Sequence, residues 1–191
     1  MKYLKYILIV IAVLVLAFLA IGMIKPEVAY DCEILIDKPL AESWAVTQDE
    51  GKLAEWLDGF QRVEHISGTP GEVGAVSDVY FDNNGQIMSI RETITEIVPH
   101  ESISMTYESD FMNMDYTLAM SADGDKTQVN STTTAYGNGV FSKSMMALMG
   151  GSIKGQEEIN LFNLKRTIEE NTIDYFPTVE TVNEGESEAS N

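Results

Sequence analysis

The chain has 191 residues, 30 acidic against 12 basic, for a formal net charge of −18. That balance argues against a nucleic-acid partner, which needs clustered Lys and Arg, and suits a soluble body that anionic headgroups repel. A single cysteine excludes an intramolecular disulfide and every cysteine-cluster zinc site. Two histidines and no HExxH, CxxC or GxxxxGK[ST] pattern leave no metal and no cofactor expected.

The first element is an unbroken apolar run, Ile7 to Ile24, with Lys2 and Lys5 before it and Lys25-Pro26 after it. As a helix it spans about 27 Å, close to the ~30 Å hydrocarbon core of a bilayer. It is longer than the core of a cleaved signal peptide, and Ala20-Ile21-Gly22 is a poor cleavage site. A single-pass signal anchor over residues 1–26 is therefore favoured over a cleaved signal. The lysine bias favours the amino terminus inside and the body on the outer, periplasmic or extracellular, face.

Residues 29–36 read as a first strand. Asp37-Lys38-Pro39 then reads as a helix start, with Asp37 the cap and Pro39 in the first turn. A second short helix covers Glu50 to Leu57. From Phe60 the period changes to two. Segments 60–67, 75–82, 86–98, 102–109, 112–121 and 127–136 read as strands separated by turn signals. Alternation is cleanest in two of them, where Ile103, Met105 and Tyr107, and then Met112, Met114, Tyr116, Leu118 and Met120, form apolar faces.

A long helix is predicted over Ser142 to Asn171, with Phe141, Met145, Leu148, Met149, Ile153, Ile159 and Leu164 as its apolar stripe. Gly150, Gly151 and Gly155 imply a bend or a close backbone approach, and Gly150-Gly151 is a candidate hinge. The acidic residues 173–191 read as a disordered tail. The domain proper is 27–172. The order of elements gives an α+β fold, a curved antiparallel sheet of about seven strands wrapped on the long C-terminal helix. The space between sheet and helix is the natural ligand site.

Five stretches carry a family resemblance. They are Ile34–Trp44 (ILIDKPLAESW), Asp49–Trp56 (DEGKLAEW), Gly68–Gly74 (GTPGEVG), Arg91–Pro99 (RETITEIVP), and Leu164-Lys165 with Glu169. In that order they resemble the helix-grip, START/Bet v1-like (SRPBCC) superfamily, and its polyketide cyclase/dehydrase and lipid-transport branch. The resemblance covers about residues 29–171. It implies a hydrophobic cavity for a lipid or similar small molecule, and it does not by itself imply an enzyme.

The candidate site residues follow from the strand faces. Met88, Ile90, Glu92, Ile94, Glu96 and Val98 share one face of their strand, so Glu92 lies mid-strand among apolar neighbours. Burial there would raise its pKa and suit an acid, base or polar anchor. The alternatives are a register shift, or a rim site paired with Arg91 or Arg62. His65 can point inward from its strand, whereas His100 follows Pro99 in a turn and is expected to be exposed. Trp56, Tyr80, Met88, Met105, Tyr107, Met114, Tyr116, Met145 and Met149 are candidate pocket-lining residues, and core packing explains them equally well. The Gly68–Gly74 loop is read as a turn rather than an anion cradle, because it lacks a phosphate loop's Lys and Ser/Thr. The reading favoured is a membrane-anchored binding protein for a hydrophobic small molecule or lipid. The alternatives are a cyclase/dehydrase- or hydrolase-type enzyme using Glu92 with His65, and a non-catalytic protein-interaction domain.

Overall fold

The computed structural model describes residues 2–83 and 85–177. Helix α1 (Lys2–Ile24) leads directly into strand β1 (Glu27–Ile36). Helix α2 (Leu40–Thr47), one 3-10 turn (Glu50–Lys52) and helix α3 (Leu53–Trp56) follow. Strands β2 (Phe60–Ser67), β3 (Val76–Asn83), β4 (Gln86–Val98), β5 (Ser102–Glu108), β6 (Met112–Asp123) and β7 (Lys126–Gly137) form a meander that leads to helix α4 (Val140–Glu169). The expected seven strands and long closing helix are all present. Every neighbour is antiparallel, in the order β1-β7-β6-β5-β4-β3-β2. The first strand thus pairs with the last, and β1 and β2 form the two sheet edges.

One sheet face is apolar because the meander strands alternate, and α4 covers it. Ile36, Val129, Leu118 and Met120 from the sheet meet Leu161, Leu164 and Ile168 from α4, with Trp44, Val46 and Trp56 closing the end. The inward stripe of α4 is therefore Glu157, Leu161, Leu164 and Ile168, spaced at four, three and four residues. The expected stripe is corrected in part. Phe141, Leu148, Met149 and Ile159 are exposed, and only its Leu164 is a core residue.

A local expectation is also corrected. Asp37 does not cap α2, whose N-cap is Pro39. The Asp37 backbone N–H instead donates to Glu169 Oε1 at 2.7 Å, tying the end of β1 to the end of α4. Helix α4 runs unbroken through its glycines. Gly150 does make the close approach, since a Cβ there would stand 3.0 Å from Val28 Cγ1, while Gly151 and Gly155 face open space.

Strand β4 carries a bulge between Ile94 and Glu96. The extra residue, Thr95, donates its hydroxyl to Ser104 O at 3.0 Å, and the side-chain phase flips beyond it. Ile94 points inward, then Ile97 packs against the core and Glu96 is exposed. Glu96 and Val98 therefore do not share the face of Glu92.

Helix α1 packs on the first turns of α4. The Phe18 and Phe141 rings stand 5.6 Å apart, and Ser144 Oγ donates to Leu19 O at 3.5 Å. A Cβ at Gly22 would fall 2.4 Å from Ser144 N, a backbone atom that cannot swing aside. Gly22→Leu is accordingly expected to pry α1 from α4 at a local cost of about 1–3 kcal/mol. Hydrogen exchange on the full chain checks this: amides of 140–149 lose protection while those of β6 and β7 keep theirs. Unchanged protection at 140–149 would refute the contact.

At the far end, Tyr175 Oη donates to Asp49 Oδ2 at 2.6 Å and packs against the core. The remainder of the expected tail, 178–191, lies outside the described residues.

Candidate functional site

Strand pairing brings three polar side chains, Glu92, Tyr107 and Tyr116, onto the covered face, and α4 adds a fourth, Glu157. Glu92 on β4 is opposite Tyr107 on β5, and Met105 is opposite Tyr116 on β6. Tyr107 and Tyr116 stand edge to face, centroids 6.3 Å apart at 70°. Tyr116 Oη donates to Glu157 Oε1 on α4 at 2.9 Å. The Tyr107 hydroxyl interacts with the Glu92 carboxyl and lies 3.4 Å from Met105 Sδ. The result is a carboxyl–phenol pair at each side of the interior, Glu92 with Tyr107 and Glu157 with Tyr116.

Both carboxyls have raised pKa values. For Glu92 the cause is burial, reinforced by the negative charge of Glu50 and opposed by the bond from Tyr107. For Glu157 the cause is burial, opposed by Ser131 and Tyr116. Burial and the adjacent carboxylates push both phenols far above their ordinary value. Tyr30 on β1, also inside, is pushed up to about 12 by burial and by Glu157. The tyrosines thus stay protonated donors at any physiological pH. The carboxyls are the groups able to hold or release a proton.

Ser131 and Thr133 on β7 turn their hydroxyls into the same interior. Ser131 Oγ, Thr133 Oγ1 and Trp56 Nε1 are buried without a completed hydrogen bond. Ser131 is still near enough to Glu157, and Thr133 near enough to Tyr30, to favour the ionised forms of those groups. Buried polar atoms are nearly always paired in folded proteins, and leaving one unpaired costs about 1–3 kcal/mol. Ser131 and Thr133, opposite Leu118 and Tyr116 on the covered face, mark a place suited to a guest that brings its own polar groups. A cleft lined by Asp31, Cys32, Glu33, Asn130, Lys154 and Glu158 opens between the β1 edge and α4. Cys32 belongs both to this cleft and to the surroundings of Glu157, and burial raises its thiol pKa.

The sequence-predicted residues divide into two groups. Glu92, Met105, Tyr107, Met114 and Tyr116 occupy the covered sheet face, and Trp56 is buried at its end. Met145 is partly buried on α4. Neither arginine pairs with Glu92: Arg91 grips Asp78 on the outer face at 2.9 and 3.0 Å, and Arg62 stacks 3.6 Å over the Tyr80 ring.

The other group lies away from the array. Tyr80 is on the outer face, donating to Glu64 Oε2 at 3.1 Å. His65 is exposed, its Nε2 3.0 Å from Gly68 O in the glycine turn, because β2 is an edge strand that α4 does not cover. Gly68, Gly71 and Gly74 all take positive φ, in keeping with the turn reading of that loop. Met88 and Met149 are exposed. His100 is exposed as expected, near Trp44. Among the described residues no group of three or more His, Cys, Asp or Glu is placed to hold a metal.

Glu157 is the residue that the strand-based reasoning missed. It stands four residues before Leu161 on the inward stripe, and that spacing was its available signal. Helical periodicity counted from the buried Leu161, Leu164 and Ile168 places a carboxylate on the face of the helix that meets the sheet.

An antiparallel sheet wrapped on one long helix, with the array between them, defines the helix-grip class. Residues 28–169 match the family model for polyketide cyclase / dehydrase and lipid transport, and the chain belongs to that family. No curated protein matches it significantly. Among solved structures it is similar to the Zhui aromatase/cyclase from Streptomyces sp. R1128, with TM-score 0.63, 14% identity, and 75% of this chain and 94% of that one covered. It is also similar to norcoclaurine synthase from Thalictrum flavum in complex with dopamine and hydroxybenzaldehyde, with TM-score 0.58, 16% identity, and 78% and 90% covered. A third is Ara h 8.0201, with TM-score 0.53, 16% identity, and 72% and 98% covered. At these identities the likeness is one of fold.

Proposed function

We propose that this protein is a membrane-anchored receptor for an amphipathic hydrophobic molecule, a lipid or polyketide-like compound, held between the sheet and α4. The carrying observation is the interior array of two carboxyls and two phenols beside the buried Ser131 and Thr133 hydroxyls. The Met105, Met114 and Ile103 faces would take the apolar body of the ligand, and Glu157, Tyr116 and Ser131 its polar end. Family membership supports the ligand class. One helix, Tyr3–Ile24, is long and apolar enough to cross a membrane, and the lysine bias favours the domain on the outer face.

Native mass spectrometry of the full chain, released from its own membranes in mild detergent, tests this. A stoichiometric hydrophobic adduct is expected, with Glu157→Gln and Glu92→Gln each lowering its retention. A bare chain that also takes up no hydrophobic dye would overturn the reading in favour of a closed protein-interaction domain.

The raised carboxyl pKa values support a second reading, proton transfer to a bound ligand by Glu157 or Glu92. His65 lies apart from both carboxyls, exposed on β2 with its Nε2 3.0 Å from Gly68 O. Under this reading Glu157→Gln or Glu92→Gln retains the ligand but leaves it chemically unchanged, where the native chain converts it.

A further inference from the structure

The packing of α4 against α1 has a geometric consequence for where the domain sits. The apolar segment Tyr3–Ile24 has 22 residues, about 33 Å as a helix, so nearly all of it is needed to cross a ~30 Å hydrocarbon core. Its Ile24 end must then lie close to the interface, with Phe18 about 9 Å deeper, six residues at ~1.5 Å each. Phe18 is in ring contact with Phe141, and Leu19 and Gly22 meet Ser144. Farther along, Gly150 approaches Val28 on β1. Helix α4 therefore runs parallel to α1 and to the chain leaving it, and its first turn reaches below the level at which α1 ends.

The side chains at that end match an apolar surrounding. Val140 is 51% exposed and Phe141 62%, although both open a helix whose later turns form the core. The β5–β6 turn is lashed to the same place: Asn138 N–H donates to Phe111 O at 3.0 Å, and Asn138 Nδ2 donates to Ser109 O at 2.6 Å. Phe111 at that turn is itself 40% exposed. Lys143 is the cation in this segment, and its long stem lets the ammonium rise to the headgroups. Asp110 beside Phe111 disfavours anionic headgroups, so the attraction is apolar and suits a zwitterionic lipid surface.

We propose that the first turns of α4 and the Phe111 turn are embedded in the outer part of the same bilayer that α1 spans. This end of the domain is then a second, domain-borne membrane contact, and α1 is not merely a tether. The inference rests on the anchor reading above, and it gives a ligand a route between bilayer and interior that avoids bulk water.

The test uses the full chain in phosphatidylcholine vesicles. In a Cys32→Ala background, single cysteines are introduced by Phe111→Cys and Val140→Cys, by Leu14→Cys within α1, and by Asp125→Cys in the β6–β7 turn at the opposite end of the sheet. Each carries an environment-sensitive fluorophore and is read against spin-labelled phosphatidylcholine. The expected result is blue-shifted emission and several-fold quenching at 14, 111 and 140, with neither at 125. Quenching at 14 alone would overturn the inference and leave the anchor standing. No quenching at 14 would remove the anchor reading, and this inference with it.

Discussion

Leu164→Ala is expected to lower the unfolding free energy of the full chain by about 2–5 kcal/mol. Leu164 is 0% exposed and sits at the centre of the inward stripe of α4, between Leu161 and Ile168. Its neighbours come from several elements, among them Ile36 on β1, Val129 on β7 and Trp56 on α3. Truncation removes apolar contact and leaves a void that strands held by antiparallel ladders cannot collapse to fill. The loss falls on the apolar seam that, with Leu161 and Ile168, seats the closing helix on the sheet. Phe162→Ala is the control: Phe162 is larger, on the same helix, but 60% exposed, so a change within about 0.5 kcal/mol is expected. Denaturant titration of the two variants checks the contrast. Equal effects would mean that α4 is not seated on this stripe.

Glu157→Gln is expected to flatten the pH dependence of stability and to raise stability at neutral pH. The folded-state pKa of Glu157 is raised by burial above its ordinary value. From the ordinary carboxylate range up to that raised value, the folded state holds a proton that the unfolded state has lost. The stability contributed by the neutral carboxyl is therefore fully present below the unfolded pKa and is lost as pH rises through the folded one. Glu92 acts with the same sign. Glutamine stays neutral throughout and still offers an oxygen to Tyr116. Glu157→Ala separates charge from hydrogen bonding, because it strands the buried Tyr116 hydroxyl at a cost of about 1–3 kcal/mol. Thermal melts across the acid-to-neutral range check both variants. A Gln variant whose pH profile follows the native one would remove Glu157 from the interior.

The sheet was largely legible in the sequence, because β5 and β6 alternate without interruption and turn residues separate the strands. The inward placement of Glu92 follows from the same alternation. The faces of Glu96 and Val98 could not be read beyond Thr95, because a bulge inserts one residue into a period of two and no residue type announces it. Tyr80 and His65 belong to β2 and β3, at the sheet edge that α4 leaves uncovered, where alternation says little about burial. For α4 the apolar residues outnumber those the sheet can receive. Phe141, Leu148 and Ile159 read like core, and only their tertiary placement separates them from Leu161, Leu164 and Ile168. Glu157 was hidden for the converse reason, since a charged residue is discounted when an apolar stripe is drawn.

The pairing of β1 with β7 also governs how the chain can be built. Glu27 is in register with Tyr136 and Ile36 with Thr127, so the first strand finds its partner only after the whole meander has been made. Until then β1, emerging directly from α1, has both backbone edges open. Contacts this distant in sequence slow folding, since the intervening loop must be ordered before they form. A chain fixed at its first strand by α1 would complete its sheet last at the point where it began. Biogenesis is thus a closing of the two ends, with β7 and then α4 arriving together. Shortening the chain before Ile168 would leave β1 paired yet uncovered, a species prone to aggregate rather than a smaller working domain.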